Sequence, residues 1–206
     1  APTWADVAMI QWLVDGAAIM NQKSLAEGSY GPYVRTMMRI NMEEAFHFKS
    51  GEDMVLQIMS GTERQKKMGQ EAFDRWWGPC LMFFGPPDKD SVKTTPFMRW
   101  RIKTATNDTL RQKFVDRFAP AARDLGLVVK TPKRDASGAI IRGADGRAAE
   151  LVPDEKLRFN ESTGHWDFSQ PDWEEFYQVI SGKGSLNKQR VGLRRFSYEQ
   201  GAWVRN

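Results

Sequence analysis

Glu44 and His47 stand three positions apart, a spacing that places both side chains on one face of a helix. A carboxylate and an imidazole so arranged can hold one metal ion between them. Asp15 lies one helix upstream, inside a long apolar run. A carboxylate in such surroundings is costly unless a cation meets it. Two partners would serve: an arginine or helix terminus, or a metal ion shared with Glu44 and His47. Oxygen and imidazole donors suit iron or manganese, with zinc a third choice, and the lack of cysteine near the motif disfavours a structural zinc site. Asp15, Glu44 and His47 are therefore the candidate metal ligands and catalytic residues, against the plainer reading of Glu44 and His47 as a solvated pair on the helix surface.

These residues need two helices to carry them. Thr3 reads as an N-cap with Asp6 completing an acidic first turn, and residues 7–20 are apolar nearly all round, as expected of a central helix. Gly28, Gly31 and Pro32 mark a turn. The spacing predicts a second helix over 32–49, with Tyr33, Met37, Ile40, Glu44 and His47 stepping by four and three along one seam. Since the seam is apolar above Glu44, Glu44 and His47 are expected to face inward, toward Asp15 on an antiparallel neighbour. Gly51 is expected to end this helix. Further helices are predicted at 52–59, 62–77, 96–104, 107–125, 171–180 and 186–199, with a loop at 86–95. Asn107 is the expected cap of its helix. The stretch 130–153 turns to Gly, Ala, Arg and Asp, with a small hairpin at 140–151. A second hairpin flanks 160–164 and contains His165, read as structural. The expected organisation is a bundle with its following helices over 1–126 and a C-terminal extension over 127–206.

Bulk properties narrow the classes. The 206 residues are 41% hydrophobic and 27% charged, which suits a globular protein. No apolar run is long enough to span a membrane and no secretory signal opens the chain. One cysteine, Cys80, allows no intrachain disulfide, fits a cytoplasmic location, and reads as a small buried hydrophobe. The net charge of +4 is too small and too dispersed to argue for nucleic acid. Arg99, Arg101 and Lys103 beside Trp100 read either as a solvated helix face or as a grip for a phosphate. The chain begins with Ala and enters a helix almost at once, which reads as a piece of a longer polypeptide.

Several segments bear a family resemblance. Trp12-Leu-Val-Asp-Gly-Ala-Ala-Ile-Met-Asn-Gln22, Ser29-Tyr-Gly-Pro-Tyr33, Glu43-Glu-Ala-Phe-His47, Phe84-Gly-Pro86, Thr106-Asn-Asp-Thr-Leu-Arg-Gln-Lys-Phe-Val-Asp116 and Gly201-Ala-Trp-Val-Arg205 closely resemble the catalytic A subunits of phenylacetyl-CoA epoxidase. The resemblance covers almost the whole chain and fades over 130–155. It implies an all-α, ferritin-like bundle with C-terminal helices and a small hairpin, here with the first two core helices absent. It also implies a di-iron centre, with Asp15 as third-helix ligand and Glu44 and His47 as the fourth-helix pair. Asn21, Ser91 and Lys103 fall where that family contacts its CoA thioester.

The implied activity is epoxidation of the aromatic ring of phenylacetyl-CoA in phenylacetate breakdown. The implied partners are a related non-catalytic helical subunit, a small B subunit, and a reductase that carries FAD and an iron–sulfur cluster and draws on NADPH. Alone, the chain is expected to be inactive and to associate with itself through an uncovered seam. The alternative is a catalytically silent helical subunit whose only role is to bind other subunits.

Overall fold

The computed structural model describes residues 2–181. Its contacts divide the chain into two compact units, one taking in the chain up to Thr131 together with Pro153–Pro171, the other Pro132–Val152 and the chain from Asp172 onward.

The first unit opens on helix α1 (Trp4–Met9), which continues through a π-helical turn (Ile10–Val14) into α2 (Asp15–Ala26). The start is a capping box: Thr3 Oγ1 accepts from the Asp6 N–H, and the Asp6 carboxylate accepts from the Thr3 N–H at 3.0 Å. At the π turn the Asp15 N–H donates to the carbonyl of Ile10, five residues back. Pro32 starts the first turn of α3 (Gly31–Met59), which packs antiparallel along α1 and α2. Helix α4 (Glu63–Met82) begins with a second capping box, Thr62 with Gln65. After a 3-10 turn (Asp88–Asp90) come α5 (Thr94–Arg99) and α6 (Asn107–Asp124).

Aromatic rings fill the core between these helices. Trp12 meets Phe118 edge-on at 5.5 Å, Phe118 stacks on Phe114 at 4.5 Å, and Phe114 touches Trp77 at 5.5 Å. Buried Arg111 ties α6 to the end of α4, donating to the carbonyls of Leu81 and Gly85 and pairing with Asp108. Strand β3 (Arg158–Asn160) pairs antiparallel with β4 (His165–Asp167), Phe159 opposite Trp166. The hairpin is pinned to α6 by Asp116, which accepts from the Trp166 N–H at 2.8 Å and contacts His165 Nδ1 at 2.7 Å. Two further short strands, β1 (Lys130–Pro132) and β2 (Leu151–Pro153), form a second small sheet.

In the second unit the 140–151 stretch folds back on itself, through an Arg142–Ala148 bridge and an Ala149 N–H donating to Ile141 at 2.8 Å. Arg142 clamps Asp172 with two bonds of 2.7 and 2.9 Å and reaches Glu174. Asp172 in turn caps α7 (Trp173–Ile180).

Four expected boundaries are corrected, the first being the helix expected over 96–104, which is α5 and stops at Arg99. Gly51 does not end its helix; α3 runs through it to Met59. A Cβ at Gly51 would sit 2.5 Å from the Trp12 nitrogen and 2.6 Å from Gln11 Cβ, so glycine there serves close helix contact. Helix α4 continues past Gly78-Pro79 to Met82. Thr106, not Asn107, caps α6, its hydroxyl accepting from the Thr109 N–H. The helix expected at 186–199 lies outside the described residues.

Candidate metal centre

The antiparallel contact of α2 with α3 sets the register of the site. Gln11 lies against Gly51, and one turn further along Asp15 comes up to Glu44 and His47. One ligand atom from each of the three lies within 4.8 Å of the other two. Glu44 Oε2 stands 3.8 Å from His47 Nδ1. Among the described residues Asp15 enters no ion pair with a lysine or arginine.

Electrostatics follow from this placement. Burial pushes the Asp15 carboxyl up, the negative charge of Glu44 adds to the push, and His47 offsets part of it, leaving the group at about 6. A second carboxylate with no neutralising partner is the setting a divalent cation would relieve. Two carboxylates and an imidazole are hard-oxygen and nitrogen donors fit for iron or manganese. The residues present thus suit a metal ion.

One expectation for this site fails. The seam predicts an inward-facing His47, yet its side chain is 53% accessible while that of Glu44 is 24% accessible. Tyr33, at the start of the same seam, is also exposed, whereas Met37 is buried. Helix α2 covers only part of the stripe, and nothing among the described residues covers the remainder.

An arginine does meet a buried acid of the α1–α2 run, but the acid is Asp6. Arg75 grips the fully buried Asp6 with bonds of 2.8 and 2.9 Å, and Trp76 Nε1 donates at 3.1 Å. Burial would raise the Asp6 carboxyl, but bonds from Arg75, Thr3 and Trp76 outweigh it and hold the group well below the usual range.

The three residues expected near a thioester have separate neighbours. Asn21 is half-buried within α2, which runs on to Ala26 rather than ending there. The Ser91 hydroxyl accepts from Thr94 Oγ1 at 2.7 Å. Lys103 is buried and donates to Asn107 Oδ1 at 2.8 Å; burial lowers its pKa. The end of α2 docks onto this segment, where Ser24 Oγ accepts from the backbone of Thr104 and Ala105.

Sequence reasoning missed Gln11 and Asn41 in this interface. The amide oxygens of Gln11, Gln22 and Asn41 are buried without a hydrogen-bond donor among the described residues. Gln11 and Gln22 sit four before and seven after Asp15, a helical spacing that is visible in the sequence. Cys80 is fully buried and within electrostatic range of Asp15; burial first, then Asp15, pushes its thiol up. A surface groove of about 660 Å³ lined by residues such as Gln112, Lys156 and Trp166 shares no residue with the triad.

Comparison with known proteins decides the relationship. Residues 1–147 match the family described as phenylacetic acid catabolic protein. The chain belongs to that family. As a phenylacetic acid catabolic protein it has a mostly helical, ferritin-like fold with small antiparallel strand pairs. It is 41% identical over 203 residues to the A component of the 1,2-phenylacetyl-CoA epoxidase of Escherichia coli (strain K12), an alignment covering 98% of this chain. The chain spans 58% of that relative's length. No helix among the described residues is long and apolar enough to cross a membrane.

Proposed function

We propose that this chain is the metal-binding part of the catalytic subunit of a multicomponent monooxygenase that epoxidises the aromatic ring of phenylacetyl-CoA. The convergence of Asp15, Glu44 and His47 carries this reading. The 41% identity to an epoxidase component supports the substrate class. Iron, when bound, supplies the activation of dioxygen and the transfer of one oxygen atom to the ring.

The chain's own residues do the holding. Glu44 would offer a carboxylate oxygen to a bound ion from the same helical face that presents the His47 nitrogen. Asp15 would offer a second carboxylate from α2. Lys103, buried beside α6, is a cation suited to a phosphate of the CoA thioester, with Ser91 and Asn21 as polar contacts. Electrons would come from NADPH through a reductase bearing FAD and an iron–sulfur cluster. A small B subunit and a related helical subunit complete the proposed cytoplasmic complex. The described residues supply a single acid–acid–imidazole set, so the chain by itself is expected to be inactive.

The exposed His47 supports a second reading. A surface Glu-x-x-His pair that binds nothing would make this a silent helical subunit whose role is association. Anaerobic Fe(II) titration separates the two. Uptake that disappears in Glu44→Ala and in His47→Ala supports the metal reading. Full epoxide formation by a reconstituted complex carrying both substitutions would overturn it.

A further inference from the structure

The side of α3 turned away from Glu44 carries a second pattern. Arg35, Met42, Phe46 and Asp53 are all exposed, and Met42 and Phe46 are 69% and 75% accessible. Their spacing is seven, four, seven, which keeps all four on one narrow stripe of a helix. Glu44 lies midway along the stripe but on the opposite side, roughly 200° round from both Met42 and Phe46 at about 100° per residue. Met38 and Leu56, also exposed, flank the stripe. The contacts of α3 within its unit go to α1, the π turn, α2, α4 and, through Phe48, α6, and none of them covers Met42 or Phe46.

The order of the four residues is a palindrome in position and a complement in chemistry. Turned end for end about Glu44, the stripe sets Arg35 on Asp53 and Met42 on Phe46. A parallel copy would instead set Arg35 on Arg35 and Asp53 on Asp53. Lys49 already contacts Glu52 at 3.0 Å and Asp53 at 2.9 Å, but the three together keep one negative charge for an incoming arginine.

We propose that this face of α3 is a two-fold interface on which a second copy of the chain docks antiparallel, with Arg35 of each copy against Asp53 of the other. Two-fold symmetry makes every contact twice, so a modest ion pair and an aromatic–methionine contact are each doubled. Glu44 faces the other way and His47 lies about 100° round from Phe46, its ring meeting the edge of the Phe46 ring at 6.3 Å, so the interface borders the metal site without using its ligand atoms.

Sedimentation velocity on the full 206-residue chain across a concentration range tests this. A reversible dimer is expected. Met42→Glu should give a monomer with unchanged helicity and unchanged Fe(II) uptake. Arg35→Asp and Asp53→Arg should each weaken the dimer by about tenfold, the effect of two lost surface ion pairs. The double variant should regain the lost affinity, because only the antiparallel pairing restores opposite charges. A monomer at all concentrations overturns the proposal, as does a dimer indifferent to Met42→Glu or a double variant weaker than either single one. Pairing solely with a different helical chain overturns it too. Loss of iron uptake in the triad variants leaves the dimer unaffected, which keeps this result separate from the proposed function.

Discussion

Asp15 faces Glu44 across the contact between α2 and α3, two acids on different helices with ligand atoms no more than 4.8 Å apart. Their mutual repulsion and the burial of Asp15 give the metal-free chain a definite pH response. The folded pKa of Asp15, about 6, lies above its unfolded value near 3.8. Between these values the folded state binds more protons, so stability falls as pH rises from about 4 to 6 and levels off above. Urea denaturation across that window should show this slope in the wild type and its loss in Asp15→Asn.

A cation competes for the same site. Fe(II) or Mn(II) affinity should therefore drop as pH falls below about 6, because the ion must displace the Asp15 proton. Isothermal titration at about pH 5.5 should register proton release on binding in buffers of different ionisation heat. Asp15→Asn should reduce that release.

The opposite pH sign belongs to Asp6. Its depressed pKa contributes stability above the unfolded value, lost as pH falls through the acid range. Its pair with Arg75 is also lopsided: the Asp6 side chain is fully buried and that of Arg75 is 42% accessible. Removing Arg75 strands a buried charge, a loss of about 3–5 kcal/mol by analogy with other buried pairs. Removing Asp6 leaves an arginine that can reach water. Arg75→Ala should thus destabilise more than Asp6→Asn, read as a shift in the denaturant midpoint.

Gly51→Ala sets two effects against each other. Alanine favours a helix by about 1 kcal/mol over glycine. The new methyl would meet the backbone nitrogen of Trp12 at 2.5 Å, and backbone cannot rotate away. Overpacking of this kind costs about 1–3 kcal/mol. The net result should be a less stable chain and weaker Fe(II) binding, since the close contact lies one turn from His47.

Lys103→Met should separate stability from ligand binding. A buried ammonium with a neutral amide as its hydrogen-bond partner is poorly compensated, so methionine should leave thermal stability equal or higher. Affinity for phenylacetyl-CoA, measured by calorimetry on the assembled complex, should fall. Equal affinity in the variant would remove Lys103 from the thioester site.

The convergence of Asp15 with Glu44 and His47 is legible in the sequence, because each spacing lies within one helix and neighbouring helices joined by a short turn run antiparallel. What faces the site is not. Exposure of His47 depends on what covers α3 from outside, and periodicity reports a stripe, not its cover. The role of Gly51 is hidden for a related reason: a glycine signals a stop or a close approach, and only its neighbour decides. Asp6 reads as a first-turn acid, which it is, yet its main partner Arg75 comes from 69 residues away.

The π turn before Asp15 has a bearing on how related chains are aligned. Five residues wound wider than an α-helix put α1 and α2 out of step by roughly a quarter turn. They are two cylinders on one axis, each with its own dry side. Counting in steps of about 3.6 from Trp4 therefore misplaces Asp15 by roughly a quarter turn relative to α1. A relative lacking one residue between Ile10 and Val14 would keep every apolar position in α2 yet orient α1 differently against α3.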